Sequence, residues 1–281
     1  MRCTLQRGGG PEGGFEVAFA PVPAELKPWV DSWTGYREWS ASIVQRLETP
    51  SGRAVLIFEL GEPIGIGERL VRHRGGFYAA IGDVSVLTAF NRVQEGIQVN
   101  LTPRGAHALL GRETRDLSGL VTGVGAVRFC DSFCDELASA RGWEARLDVV
   151  FRALAARLPG AKDQSNVVKW AVERIDHSRG AVRIDALSDE LGYSRKHLHA
   201  RFVDEVGMAP KRYAALRRFE HVVGRLRAGR FESFAQLATE AGYSDQAHLA
   251  REVRRFSGAS STALAEAAKD PIAVAIAALT S

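Results

Sequence analysis

The first 120 residues alternate short apolar runs with glycine, proline, asparagine and aspartate. Apolar runs of four to eight residues between such turn formers are typical of β-strands. They predict strands at Ala54–Leu60, Gly76–Ile81, Val84–Leu87 and Gly96–Leu101. Thr102 and Pro103 then predict a short helix, with Thr102 as the N-cap and Pro103 in the first helical position. Several short strands indicate a small sandwich or barrel.

From about Val127 the apolar residues change to helical spacing. This pattern continues to Pro159-Gly160, which ends it, and we place a flexible junction from Pro159 to Asn166. Helices in this region offer one candidate surface for pairing with a second copy of the chain. The residues expected on that surface are Phe133, Leu137, Leu147 and Leu154.

After the junction the chain repeats itself. Ala186–Ser194 aligns with Gln236–Ser244 at an offset of 50, and both segments share Leu, Glu and Gly-Tyr-Ser at matching places. The offset becomes 51 after the turn, where His197-Leu198 aligns with His248-Leu249. Two copies are fewer than the three or more repeats that a helical solenoid normally needs.

Each copy predicts a helix, a tight turn and a second helix. Gly192 and Gly242 stand where the chain must reverse, a position that favours positive φ. Ser194 is expected to cap the next helix in the first copy, and Ser244 or Asp245 in the second. Apolar residues four apart then face inward and leave a polar, basic outer face. This is the helix-turn-helix arrangement, whose second helix enters the major groove of DNA.

Composition and charge agree with a DNA-binding globular protein. The chain has 281 residues, of which 46% are hydrophobic and 25% charged, and this length favours two domains. The segment from Lys162 to Lys269 has 19 basic and 14 acidic residues, so the basic excess of the whole chain lies there. Such an excess suits a polyanion. The alternative is a solvated helical face.

No run of residues approaches the roughly 20 apolar positions of a membrane span, and the apolar tail from Ile272 to Leu279 is far too short. The first ten residues have no apolar core of a secretory signal, so we expect the protein in the cytoplasm and without a membrane partner. There Cys3, Cys130 and Cys134 are expected to be reduced. Cys130 and Cys134 are expected to be buried thiols, with oxidation sensing or metal binding as the alternative.

The repeat resembles a known family. Gln164 to Ala265 is similar to the DNA-binding domain of the AraC/XylS transcription regulators, in which a long helix joins two helix-turn-helix units. The similar segments are Gly192–Phe202 with Gly207–Pro210, the bridging segment Lys211–Phe219, and Gly242–Val253. The chain departs from the pattern at Ser261, where the family usually has proline, and this puts the start of the last helix in question.

The resemblance implies which residues read DNA. The base-reading positions fall on Lys196, His199 and Ala200 with Arg195 adjacent, and in the second unit on Gln246, Ala247, Ala250 and Arg251. By side-chain chemistry, Arg251 or Lys196 suits guanine and Gln246 suits adenine. The expected phosphate contacts are Ser194, Ser244, Arg212, Arg217 and Arg218. The alternative for each residue is a solvent-facing side chain.

The family also implies an N-terminal ligand-binding or dimerising domain, often a cupin-like β-barrel. Residues 1–120 are therefore expected to form a β-rich sensory domain, 121–160 a helical dimerisation or linker segment, and 161–281 the double helix-turn-helix domain. The fold class is α+β, with a cupin-like barrel or sandwich followed by helices and then an all-α domain.

We therefore expect a sequence-specific transcription regulator without catalytic activity, cofactor or metal. Its expected partners are double-stranded DNA, a small-molecule effector, a second copy in a homodimer and, if it is an activator, RNA polymerase. The alternative is a metal-dependent cupin-type enzyme fused to a DNA-binding tail. That enzyme would need a cluster of ligands, whereas the N-terminal half offers only His73 and His107 as histidines. An N-terminal half that serves only for interaction, without an effector, is a third possibility.

Overall fold

The computed structural model describes residues 2–10, 12–161 and 163–270, so the apolar tail from Ile272 to Leu279 lies outside the described residues. Two antiparallel sheets make up the N-terminal half. The strands are β1 (Thr4–Gly10), β2 (Gly13–Phe19), β3 (Val30–Ser40), β4 (Val44–Glu48), β5 (Ala54–Glu59), β6 (Gly65–Ile66), β7 (Gly76–Ala79), β8 (Val86–Phe90), β9 (Val93–Leu101) and β10 (Val121–Gly123). The large sheet has the order β1-β2-β3-β9-β5-β7-β10 and the small sheet β4-β8-β6. The expected β-rich sandwich is confirmed, with open sheets.

The four predicted strands are confirmed as β5, β7, β8 and β9, with ends that shift by a few residues. Strands β1 to β4 were not among the predictions, because their glycines and charged residues hide the alternating pattern. Pairing with neighbours defines them instead: β3 pairs with both β2 and β9. Trp33 of β3 is buried, and its indole nitrogen donates to the Ala20 carbonyl at 2.9 Å.

Three helices come after β9 in the chain and pack on the large sheet. The first is α1 (Pro103–Leu110), which begins as predicted, since the Thr102 hydroxyl accepts from the Gly105 amide at 3.0 Å. The others are α2 (Asp131–Ser139) and α3 (Trp143–Ala155). Trp143 packs against β3 at Gly35, where a Cβ atom would come within 2.4 Å of the indole ring. A glycine is therefore required at this crossing of helix and sheet.

The predicted dimer surface on these helices is wrong. Phe133, Leu137, Leu147 and Leu154 are all buried in the core of the same chain. Phe133 packs edge-on against Phe58 of β5 at a ring separation of 4.9 Å. Side chains already buried against the sheet cannot also form a surface for a second copy. Within the segment predicted as helical from residue 121, the structure also places β10, which pairs with β7.

Cys130 and Cys134 differ in environment, and the expectation that both are buried is wrong for Cys130. Cys130 is exposed at the start of α2, whereas Cys134 is half-buried, and all three cysteines are free thiols. The Ser132 hydroxyl lies 3.1 Å from the Cys130 sulfur, and this hydrogen bond lowers the pKa of the Cys130 thiol.

The junction between the halves is anchored by hydrogen bonds, which differs from the flexible linker we expected. The side-chain amide of Gln164 is buried and donates to the Glu205 carbonyl at 3.0 Å. The Glu205 carboxylate accepts from the backbone amide of Ser165 at 2.7 Å. These bonds tie the start of the C-terminal half to the first helix-turn-helix unit.

The C-terminal half is helical. It contains α4 (Asn166–His177), α5 (Ile184–Leu191), α6 (Arg195–Val206), α7 (Pro210–Arg227), α8 (Phe234–Glu240), α9 (Gln246–Ser257) and α10 (Ser261–Ala267). Buried apolar residues of both halves form one continuous core, from Trp33 in the large sheet to Phe256 in α9. Within the described part of the chain, no helix combines the length and apolarity needed to cross a membrane.

One partly buried carboxyl should make stability depend on pH. Oε1 of Glu59 accepts from the Ile64 amide at 2.8 Å, and burial raises the pKa of Glu59 from 4.5 to about 7. The folded protein then binds more protons than the unfolded chain between these two values, so stability falls as pH rises through that window. At pH 8 we expect the free energy of unfolding of Glu59→Gln to be about 1–3 kcal/mol higher than that of the unsubstituted protein.

The measurement is urea unfolding at pH 4 and pH 8. The two proteins should have similar stability at pH 4, where the carboxyl is protonated in both states. Glu62→Gln, in the exposed turn after β5, is the matched control and should show no such difference. An equal loss of stability for Glu59→Gln at both pH values would contradict the raised pKa of Glu59.

Candidate nucleic-acid interface

The first helix-turn-helix unit consists of α5, a turn and α6. Leu187 of α5 and Leu198 and Phe202 of α6 are fully buried, so these apolar positions hold the two helices together. Gly192 ends α5 with φ 65°, as its place in the turn predicts. The Ser194 hydroxyl accepts from the His197 amide at 3.2 Å and caps α6, as expected.

The second unit repeats this construction with α8 and α9. Leu237, Leu249 and Val253 are buried, and Gly242 has φ 76° in the turn. Asp245 is the residue that caps α9, because its carboxylate accepts from the His248 amide at 2.6 Å. This hydrogen bond lowers the pKa of Asp245, with a further contribution from the Ser244 hydroxyl. Ser244, the other capping candidate, donates to Asp245 at 3.1 Å.

Helix α7 joins the two units, and α10 closes the second one. Because α7 has 18 residues, it spans roughly 27 Å. The absence of a proline at residue 261 put the start of α10 in question. Ser260 is the N-cap of this helix, since its hydroxyl accepts from the Ala263 amide at 3.2 Å. The structure therefore builds the last helix with a serine cap at this position.

The residues expected to read bases all lie on exposed surface of α6 and α9. These are Arg195, Lys196, His199 and Ala200 in α6, and Gln246, Ala247, Ala250 and Arg251 in α9. Arg195 forms an ion pair with Asp185 of α5 at 3.0 Å, and its side chain is 72% exposed. These exposed residues occupy matching positions in the two units, so α6 and α9 each present a polar outer face built in the same way.

Arg254 is a further exposed residue on the outer face of α9 that we did not predict. It lies one helical turn after Ala250 and Arg251, on the same side of the helix. The i, i+4 spacing was therefore the signal that could have found it. Its charge extends the basic surface toward the C-terminal end of α9.

The arginines of α7 expected to contact phosphate are engaged within the protein. Arg217 pairs with Asp176 at 2.8 Å and with Glu220, and its side chain is 19% exposed. Arg218 donates to the Gly180 carbonyl at 2.9 Å. In this arrangement both guanidinium groups brace α7 against its neighbours. Their contact with phosphate stays a prediction, and it would require these bonds to break.

His197 and His199 lie two positions apart on α6 and have different surroundings. The His197 ring stacks on Tyr193 at 4.7 Å with an interplanar angle of 10°, and His199 is exposed on the outer face. In the N-terminal half, His107 is buried with its Nδ1 3.2 Å from the Thr114 hydroxyl. Among residues 2–10, 12–161 and 163–270, no three histidine, cysteine or carboxylate side chains are grouped to hold a metal ion.

Comparison with known protein families agrees with this construction. Residues 187–267 match a family model described as a helix-turn-helix domain. No curated protein matches the sequence significantly. Similar solved structures include ToxT from Vibrio cholerae O395, with 9% identity, a TM-score of 0.47, and coverage of 82% of this chain and 97% of that chain. Identity this low assigns no ligand.

Two further structures are similar. The C-terminal domain of AraT, a response regulator from Geobacillus stearothermophilus, has 18% identity and a TM-score of 0.35, and covers 37% of this chain and 88% of its own. The AraC-like transcriptional activator CuxR has 12% identity and a TM-score of 0.30, with coverage of 79% and 87%. The match of residues 187–267 to a helix-turn-helix domain agrees with the helix-turn-helix construction expected from the repeat.

Proposed function

We propose that this chain is a sequence-specific, DNA-binding transcription regulator of the AraC type that acts in the cytoplasm. The observation that carries the proposal is the pair of exposed polar faces on α6 and α9, built in the same way by two successive units. Each face presents donors that suit base edges in the major groove, Lys196 on α6 and Arg251 on α9. Catalysis has no part in this proposal.

The N-terminal domain is proposed to adjust DNA binding in response to a small-molecule effector. Support comes from its direct contacts with the helical half, such as Ser85 with the end of α9 and Arg53 with Asp176 of α4. A domain that touches both α4 and α9 is placed to influence them. Homodimerisation and, for an activator, contact with RNA polymerase stay predictions.

Selection of bound duplexes from a random DNA pool with the full-length protein tests the proposed function. We expect an enriched motif with two half-elements about one helical turn, ~10 bp, apart, because one helix joins the two recognition helices. Inserting half a turn between the half-elements should then abolish tight binding. Enrichment of no motif at moderate salt would contradict the proposal, and a tolerated insertion would show that only one unit reads DNA.

Replacing Arg251 by Ala tests the assignment of the α9 face. A base contact carries sequence information, so its loss should cost about 1–3 kcal/mol on the selected site and little on random DNA. Arg230→Ala is the matched control, since Arg230 is exposed but lies after α7, outside both recognition helices. Binding is measured on both duplexes at several salt concentrations. An unchanged ratio of specific to random affinity for Arg251→Ala would show that the outer face is wrongly assigned.

A further inference from the structure

Two loops of the N-terminal domain meet beneath the ends of both recognition helices. They are residues 81–85 and 114–120, called here the paired loops. The backbone amide of Gly119 donates to the Ile81 carbonyl at 3.1 Å, and the Ser118 hydroxyl lies 3.4 Å from the same carbonyl oxygen. These bonds join the two loops, so that a movement of one is passed directly to the other.

Each recognition helix contacts the paired loops near its C-terminal end. For α6, Arg115 pairs with Asp204 at 3.3 Å, and Gly207 packs so closely that an added Cβ atom would lie 3.1 Å from the Ser118 Cβ. For α9, the Ser85 hydroxyl donates to the Phe256 carbonyl at 2.8 Å. One small part of the N-terminal domain therefore touches both DNA-reading units.

Asp83 is the charged centre of this contact. Its carboxylate accepts two hydrogen bonds from Arg212 of α7, at 2.5 and 2.8 Å, and a third from Arg255 of α9, at 3.2 Å. The Asp83 side chain is only 10% exposed, whereas the Arg212 and Arg255 side chains are 53% and 47% exposed. A single carboxylate thus binds two arginines whose outer sides still face solvent.

One of the two arginines stands where a phosphate contact is expected, and the other lies on a recognition helix. Arg212 lies in the first turn of α7, directly after the first unit, and is among the residues expected to contact phosphate. Arg255 lies one helical turn beyond Arg251 on α9. The two-bond arrangement of Arg212 on Asp83 is the one that a guanidinium group also forms with the oxygens of a phosphate. Ion pairs of half-exposed arginines are weak enough to be exchanged for a phosphate.

We propose that Asp83 competes with DNA phosphate for Arg212 and Arg255, so that docking of the N-terminal domain lowers DNA affinity. This inference rests on the proposed function. The Ser85 hydrogen bond to α9 keeps the carboxylate in place between the two arginines. Binding of DNA and release of Asp83 are then linked, and any event that moves the paired loops changes the number of phosphate contacts.

The test compares full-length Asp83→Asn with the unsubstituted protein. Because the asparagine carries no charge, Arg212 and Arg255 should become available to DNA. We expect affinity to rise about 2- to 30-fold at low salt, the range over which two such ion pairs compete. The rise should be similar on the selected site and on random DNA, since phosphate contacts carry no sequence information. The salt dependence should steepen by up to about two units of slope.

Two controls separate this competition from a general effect of charge or stability. Asp135→Asn removes the same charge from exposed surface of α2 and should change DNA affinity little. In a background of Arg212→Gln with Arg255→Gln, Asp83→Asn should no longer raise affinity, because the competing groups are gone. Thermal unfolding shows whether each variant is folded. If a variant that carries Asp83→Asn fails to fold, Asp83→Ser is used in its place.

Three results would overturn the inference: no gain in affinity for Asp83→Asn, an equal gain for Asp135→Asn, or a gain that persists without the two arginines. Failure of the proposed function has a different signature, since it appears as the absence of an enriched motif with the unsubstituted protein. A gain for Asp83→Asn on random DNA without any enriched motif would support the competition and contradict sequence-specific regulation.

Discussion

A partly buried network of ion pairs centred on Asp176 determines how the two halves of the chain meet. Asp176 of α4 accepts from the Tyr213 hydroxyl at 2.9 Å and pairs with Arg53 at 3.1 Å and with Arg217 at 2.8 Å. Burial, reinforced by the charge of Asp176, raises the pKa of Tyr213 well above its usual value, so the phenol stays a hydrogen-bond donor. Removal of one partner from such a network leaves a charge without compensation, and this makes the arrangement specific.

The rest of the helical half depends on this network. Tyr213 and Arg217 both belong to α7, the helix that joins the two helix-turn-helix units, so the loop carrying Arg53 orients α7 relative to the sheets. The Ser51 hydroxyl adds a bond to Glu220 of α7 at 2.7 Å. Gly52 allows the close approach, since a Cβ atom there would lie 2.7 Å from the Arg217 Cδ. The two helix-turn-helix units are therefore attached to the N-terminal half along α7 and, through the paired loops, at the ends of α6 and α9.

Local chemistry explains why the C-terminal half could be predicted closely. A turn glycine such as Gly192, a capping residue such as Ser194 and a buried pair such as Leu198 and Phe202 act within one or two turns of helix. Their effect can therefore be read from residues near one another in sequence. The N-terminal half was harder, because β3 and β4 are defined by pairing with β9 and β8, which are distant in sequence, rather than by their own pattern. The predicted dimer surface on α2 and α3 was wrong because the apolar face of a helix does not indicate which surface packs against it.

The sequence by itself determined the two repeated units, their turns and caps, and the outward position of residues such as Lys196 and Arg251, because helical periodicity places side chains from spacing alone. Only the tertiary structure decided what the basic residues of α7 contact. Arg212, Arg217 and Arg218 look alike in the sequence, yet Asp83, Asp176 and the Gly180 carbonyl bind them. Arg212 meets its partner 129 residues away in the chain. The energy of an ion pair depends on the distance between its two charges in space. The spacing of residues within one helix therefore carries no information about a charge that lies in another domain.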